Sequence, residues 1–415
     1  MSKYGIIPSE NMCKDTIQLA YKYRLYPNKP EIKALEDTFE TCRQVYNTIL
    51  NNRKYQYEVN QKSISYNIQQ NYLPDWKPEH SELSEVFSQV LQNVAKRVDL
   101  AFQAFFRRVK NGETPGYPRH KGKNQYKSIT YTQSGFDVIQ GKLHLSKIGD
   151  IPIRQHRPIV GKIKTCTIRR YGKYNYAKWY VSFTVEQDMP EPNIFCNEEL
   201  GIDVGITKFV AFSNGEFIEN PRFFRNEEKN LAKAQRNVKK KKHRTKVYRK
   251  AAHVVSNIHE RIRNRRHNFI HQQTRQIVNK YGSIYLEELQ VDNMIRKPKP
   301  KPDTENPGQY LPNGASAKAG LNKSIADVSW SMFRQILTYK AENAGGIVTK
   351  NNPAYTSQMC SKCGHIDKEN RKSQAVFNCV SCGHTENADT NAAKNQITKA
   401  HSAEVITVGH YSLAA

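Results

Sequence analysis

Apolar residues recur at helical spacing through Ile32, Leu35, Phe39, Cys42, Tyr46 and Ile49. The pattern predicts a helix entered from a short strand and turn at "YKYRLYPNKPE", with Pro30 in its first turn. Leu83, Phe87, Val90, Val94, Val98, Phe102 and Phe105 predict a second helix, and "LPDWKPEH" reads as a loop between the two. After "NGETPGYPRHKGK" the period shortens. "KSITYT", "KLHLSKI", "GKIKTCTIRR" and "KWYVSFTVEQ" read as strands separated by Gly and Pro punctuation. "EPNIFCNEE" is a linker. "LGIDVGITKFVAFSNGEFIEN" then predicts a buried strand, a second strand and a hairpin turning at Asn-Gly. Val254, Ile258, Ile262, Phe269 and Ile277 mark the apolar side of a helical hairpin over residues 229–280. "KYGSIYLEEL" is a strand, "RKPKPKPDTENPGQYLPNGASAKAG" a flexible loop, "ADVSWSMFRQILTYKAENAGG" an amphipathic helix and "GIVTKNN" a short strand.

Charge turns this pattern towards a class of partner. The 415 residues suffice for two to four units, and 65 Lys and Arg against 38 Asp and Glu leave a formal charge of +27. Such an excess suits DNA or RNA. Residues 229–280 hold 17 of the cations and one acid, Glu260, so the helical hairpin is strongly basic on its outer side. A second basic stretch runs through Arg107, Arg108, Lys110, Arg119, His120, Lys121, Lys123 and Lys127, with Tyr117 and Tyr126 among them. Cations meet phosphates and rings stack on bases, although a merely solvated loop would carry the same charges. No run of about 18 apolar residues occurs, so no membrane partner is expected. The start lacks an apolar signal core and Cys13, Cys42, Cys166 and Cys196 are scattered like reduced thiols. Both features point to the cytosol.

The other four cysteines are organised. Cys360-x2-Cys363-x15-Cys379-x2-Cys382 is the spacing of a four-thiolate zinc site, and Gly364 and Gly383 follow each pair. Glycine there permits the positive φ that turns amides towards sulfur. Such a site is closed and structural. His365 and His384 are bystanders on this reading.

Three acids stand out by context. Asp203 lies inside the apolar "LGIDVGI", where an unpaired carboxylate is costly. Glu287 ends the strand "SIYLEEL" beside Glu288, and Asp389 opens "ADTNAAKNQI" soon after the last cysteine. Each alone has a structural explanation: a paired core Asp, a surface Glu, a capping Asp. Together on a basic chain they suggest a shared site for Mg²⁺ or Mn²⁺, which take oxygen ligands and cleave phosphodiesters in pairs.

These stretches resemble the TnpB (OrfB) proteins of bacterial insertion sequences, RNA-guided DNA nucleases related to the ancestors of type V CRISPR effectors. The resemblance runs along nearly the whole chain. "YRLYPN", "CRQVYN", "GYPRHKGK" and "KWYVSF" carry it in the front half. "GIDVGITKF", "NPRFF", "LEEL", "YKAENAGG", "TSQMCSKCG" and "CGHTENADTNAAKN" carry it in the back. It implies an α+β multidomain fold: a wedge-like β-barrel (1–30 and 116–196), a helical recognition lobe (31–115), an RNase H-like RuvC nuclease domain (197–354 and 384–402) with an inserted zinc ribbon (355–383), and a disordered tail (403–415). The family's catalytic acids fall on Asp203, Glu287 and Asp389. Its Glu normally precedes an Asp-Leu pair, and here Glu288 stands in place of that Asp.

The resemblance further implies a guide RNA from the transposon end, a double-stranded DNA target beside a short protein-read motif, structural zinc and catalytic Mg²⁺ or Mn²⁺. Arg119, Lys121 and Lys123 in the wedge, and Lys239, Lys240, Lys241, Lys242, Arg244, Lys246, Arg249 and Lys250 in the hairpin, would grip nucleic acid. A monomer is expected, with a dimer as the alternative. Two other functions fit parts of the sequence. A transposase would join strands with the same acids, and a non-catalytic zinc-ribbon binder would have no need of a buried Asp203.

Overall fold

The computed structural model describes residues 16–172, 176–188, 198–306 and 308–411, with side chains as far as Ser402. The chain divides into two compact units, residues 1–189 and 190–415. Cys13, Cys196 and most of the expected linker lie outside the described residues.

The first unit opens with strand β1 (Thr16–Leu25) and helix α1 (Lys29–Asn60). Asn28 and Glu31 form a capping box at the start of α1, with Pro30 in the first turn as the sequence predicts. Helix α2 (Tyr66–Trp76) follows, so the expected loop at "LPDWKPEH" is helical through Trp76. Leu73 is buried there, and the Gln69 amide bonds the Ile49 carbonyl of α1. Helix α3 (Ser88–Lys110) carries the second apolar stripe.

Strands β2 (Ser128–Tyr131), β3 (Phe136–Ile139), β4 (Lys142–Leu145), β5 (Gly149–Arg154), β6 (Lys162–Tyr171) and β7 (Lys178–Asp188) complete an antiparallel sheet. Its order is β2-β6-β7-β1-β5-β4-β3. The short β3 and β5 were not anticipated. One hydrophobic core joins helices and sheet, with Leu35, Phe39 and Val94 packed among Ile168, Val181 and Phe183. Polar ties reinforce it. Arg97 of α3 bonds the Ser128 carbonyl and Thr130 of β2, and Arg53 pairs with the buried Asp99 at 3.1 Å between α1 and α3.

The second unit is built on strands β8 (Glu199–Val204), β9 (Lys208–Phe212) and β10 (Phe217–Glu219). The basic hairpin follows as helices α4 (Phe223–Lys239) and α5 (Lys246–Lys280), then strand β11 (Ser283–Glu287) and the single-turn helix α6 (Val291–Met294). The expected flexible loop contains a small hairpin, β12 (Lys301–Pro302) with β13 (Tyr310–Leu311), and ends inside helix α7 (Ala315–Val328). The single amphipathic helix expected next is two. α7 stops at Ser329, whose φ of 62° lies in the left-handed region, and helix α8 (Trp330–Asn343) starts in a new direction.

Strand β14 (Ile347–Asn351), the ribbon strands β15 (Val376–Asn378) and β16 (Thr385–Asn387), and helix α9 (Ala388–Tyr411) complete the unit. The α9 backbone is helical across most of the tail expected to be disordered. The main sheet runs β10-β9-β8-β11-β14, antiparallel from β10 to β8 and parallel from β8 to β14. On α5 the buried positions are Ala251, Ile258, Ile262, Ile270, Thr274, Ile277 and Val278, whereas Val254 is exposed, which corrects its place on the apolar side. Asp327 of α7 accepts the Phe224 and Arg225 amides at the start of α4 and pairs with Arg266 of α5 at 2.8 Å, so one buried carboxylate pins both arms of the basic hairpin.

Candidate active site and metal centre

The ribbon folds as its spacing predicts. The sulfurs of Cys360, Cys363, Cys379 and Cys382 all lie within 4.8 Å of one another. Cys360 and Cys382 are 3.7 Å apart, and Cys363 and Cys379 3.6 Å. Four Zn–S bonds of about 2.3 Å in a tetrahedron place sulfurs about 3.8 Å apart, so the cluster has the dimensions of a four-thiolate metal site. Each knuckle closes through paired backbone bonds. Gly364 and Gly383 donate to the Cys360 and Cys379 carbonyls, while Cys360 and Cys379 donate to the carbonyls of His365 and His384. The two glycines have φ of 74° and 70°. The histidine rings turn away to carboxylates, His365 towards Asp367 and His384 towards Glu386. Cys42 and Cys166 are instead buried singly in the first unit, where burial pushes the Cys42 thiol up to about 12 and Cys166 well above its usual value.

Asp203 is near the end of β8, Glu287 ends β11 beside it, and Asp389 is the second residue of α9. The packing of α9 on β8 joins strand and helix. A Cβ at Gly201 would come 1.9 Å from the Ala393 carbonyl oxygen, so a residue without a side chain is required for this approach. Asp203 feels the other two carboxylates. Burial raises the Asp203 pKa well above the usual carboxylate range, and the charges of Glu287 and then Asp389 raise it further. Burial also raises Glu287 and Asp389.

Glu287 is held at Oε1 by Thr356 and by Gln396 of α9, the latter at 3.1 Å. Glu288 is exposed, its amide bonded to the Asn351 carbonyl of the neighbouring strand. Two cations among the described residues neighbour the cluster: Lys399 of α9, whose charge lowers the Glu287 pKa, and Arg371, on the ribbon segment between the two cysteine pairs, 3.6 Å from Asp389. Arg371 acts on all three acids, lowering their pKa values without being the largest influence on any.

Sequence reasoning missed Arg371, Thr356 and Gln396, as well as the device that seats the ribbon. Asn391 and Asn395 are one helical turn apart on α9 and fully buried. Asn391 accepts the Ser361 amide and donates to the Met359 carbonyl. Asn395 donates to the Thr356 and Met359 carbonyls. The i, i+4 pair of Asn after "AD" was the available signal. The polar run after the last cysteine therefore clamps the turn that enters the ribbon to the helix that carries Asp389.

The expected nucleic-acid contacts fall in two places. Lys239 ends α4, Lys240, Lys241, Lys242 and Arg244 form the connection, and Lys246, Arg249 and Lys250 lie in the first turns of α5; all but the half-buried Lys241 are exposed. In the first unit Arg119 and Lys123 are exposed, while the Lys121 backbone is locked to Asn47 and Arg43 of α1 and its ammonium lies over the Tyr46 ring. No helix among the described residues is long and apolar enough to cross a membrane.

The comparisons with known proteins follow this geometry. A family described as "Probable transposase" (OrfB, IS605) matches residues 182–297, and a "Cas12f1-like, TNB domain" matches 330–396, which spans the ribbon and the start of α9. InsQ of Escherichia coli (strain K12), named as a candidate RNA-guided DNA endonuclease, is 31% identical over 385 residues, 92% of each chain. The chain belongs to the TnpB (OrfB) family. A Streptomyces pristinaespiralis relative with the same description is also 31% identical, over 91% of this chain and 88% of its own. The cryo-EM structure of a Cas12f1–sgRNA–target DNA complex superposes with a TM-score of 0.55 at 15% identity, covering 92% of this TnpB-family chain and 98% of that one, so the two share a compact α+β multidomain fold. A "Helix-turn-helix domain" family matches residues 12–62, but in this member the described part of that segment is a strand and one unbroken helix.

Proposed function

We propose that this chain is an insertion-sequence-encoded RNA-guided DNA endonuclease that cuts double-stranded DNA beside a short protein-read motif, with Asp203, Glu287 and Asp389 as its catalytic acids. The observation that carries the reading is the convergence of three half-buried carboxylates, from adjacent strands and a helix start; burial first, and then the charges of Glu287 and Asp389, raise the Asp203 pKa. The excess of negative charge, only partly offset by Arg371 and Lys399, fits a site that takes hard divalent cations. Mg²⁺ or Mn²⁺ bound there supplies charge neutralisation at the attacking and leaving oxygens of phosphodiester hydrolysis. The chain's own residues set the geometry. Thr356 and Gln396 fix Glu287 through one oxygen and leave the other to ligate. Arg371 places a guanidinium beside Asp389, where it would meet a phosphate.

On this reading residues 197–354 and 384–402 form a RuvC-type nuclease domain, 355–383 its zinc ribbon, and residues 1–30 and 116–196 with the helices of 31–115 the wedge and recognition lobe that hold guide and target. The ribbon metal is zinc and plays no chemical part. The basic hairpin lines the heteroduplex channel, gripping backbone while base pairing selects sequence. The names of the full-length relatives support the same activity. The test is to purify the chain from its native locus, sequence the bound RNA, and reprogram that RNA to a chosen DNA beside each possible short motif. Cutting should follow the RNA. Cutting that ignores the RNA, or joining of the cut ends to a second DNA, would replace the reading with that of a transposase.

A further inference from the structure

The first unit contains a cavity of about 440 Å³ between the end of β1, the start of α1 and strands β6 and β7. That volume is within the range of about 300–1,000 Å³ typical of small-molecule sites. Leu25, Pro27, Ile32 and Trp179 give it apolar walls. Its polar groups converge at one side, where Glu36, Asn124 and Arg170 also line a smaller adjoining chamber of about 170 Å³. Arg170 is only 4% exposed and is paired through Nη1 with Glu36, and its Nε–H has no partner. The protein therefore leaves part of this guanidinium's hydrogen-bonding capacity unspent, beside a carboxylate that is itself half-exposed.

We infer that this cavity is a binding site for a single unstacked guanine base, supplied by the bound RNA. A carboxylate beside a guanidinium presents acceptors next to donors. Guanine alone among the four bases has a pairing edge that reads acceptor, donor, donor: O6 for Arg170, N1–H and the 2-amino group for Glu36. Adenine sets its amino group against the guanidinium and a bare nitrogen against the carboxylate. Uracil and cytosine each oppose an acceptor to Glu36. The apolar walls take the ring faces. The ribose and phosphate stay on the open side, with Arg24 among the lining residues as a cation. The smaller chamber balances Glu36, Asp37 and Glu40 against Arg43, Lys123 and Arg170, with Glu40 paired to Arg43 at 2.6 Å, so no net charge draws a phosphate inward and the base is what the site selects. The pocket itself is read from the protein, whereas its source of guanine rests on the RNA-guided function proposed above.

The full-length, RNA-free protein titrated with 5′-GMP and 5′-AMP tests the pocket directly. GMP should bind about tenfold or more tightly than AMP, the discrimination expected of one bidentate base contact. Glu36→Gln should remove that preference. Because this change also breaks the pair with Arg170, Ile32→Trp serves as a second variant, filling the cavity while keeping Glu36 and Arg170, and it should abolish GMP binding. In the RNA complex, 6-thioguanosine should crosslink to the peptide carrying Trp179. Equal binding of GMP and AMP, GMP binding that survives Ile32→Trp, or absence of both GMP binding and the crosslink overturns the inference. A protein that prefers GMP yet cuts DNA without RNA keeps the pocket and overturns the functional reading instead.

Discussion

Two clusters of potential metal ligands lie in the second unit, meeting along the chain only where Asp389 follows Cys382, and they are built on opposite terms. The four cysteine sulfurs sit within 4.8 Å of one another, on two knuckles whose backbone bonds already fix their positions. The three carboxylates come from β8, β11 and α9, elements distant in sequence; burial raises all three, and the charges of Glu287 and Asp389 raise Asp203 further. The first cluster already has the dimensions of a closed four-thiolate site that could hold one ion. The second holds unresolved charge that an exchangeable ion would settle. A closed site is encoded by local spacing. An open one is encoded by long-range packing, here the approach of α9 over Gly201 and the Asn391–Asn395 clamp on the ribbon.

The comparison breaks most visibly at Asp203. Asp203→Ala should lower RNA-guided cleavage about a thousandfold or more while RNA and DNA binding persist, since several kcal/mol of charge stabilisation would be lost. Glu287→Gln should do more damage than Glu288→Gln, and the reverse order would move the ligand by one position. Next in size is Cys360→Ser. Elemental analysis of chelator-washed protein should find one zinc per chain in the parent and none in the variant. Cleavage should fall about 10- to 100-fold in the variant, because Arg371 and the Thr356 that holds Glu287 both depend on a seated ribbon. Full activity in a zinc-free variant would uncouple the clusters.

Gly201→Ala tests the packing that joins β8 to α9. The added methyl meets backbone, so the cost should be about 1–3 kcal/mol in thermal unfolding, with a loss of cleavage larger than stability alone explains. An unchanged melting temperature would mean that α9 can shift freely. The smallest effect is on pH. Asp203, Glu287 and Asp389 are all raised, so their ionisation opposes folding when no cation is bound. The penalty is absent below about pH 4, the ordinary carboxylate range, and grows as pH rises through the raised values. Metal-free protein should therefore melt a few degrees lower at neutral pH than in mild acid, and Asp203→Asn should flatten the slope.

The sequence was most legible where chemistry is local. The cysteine spacing, the glycines behind each pair and Pro30 in the first turn of α1 are short-range statements, and each is found as expected. Asp203 was legible because a carboxylate inside an apolar strand needs a reason. The choice of Glu287 over Glu288 came from family resemblance, and the strand's alternation turns the first inward and the second outward. What stayed hidden was tertiary. Arg371 is an ordinary basic residue in a polar loop until the ribbon folds over Asp389. The break at Ser329 hides because neither Gly nor Pro marks it. In the first unit the helices and the sheet read as separate domains, and no periodicity could reveal that they share one core.

We propose that the carboxylates form an exchangeable cation site, separate from the four-thiolate site of the ribbon. Mn²⁺ titrated calorimetrically into zinc-loaded protein tests it most directly. The parent should bind Mn²⁺ and release protons as Asp203 ionises, and Asp203→Ala should lose both signals while keeping its zinc. Mn²⁺ binding of unchanged affinity and proton release in Asp203→Ala would contradict the account.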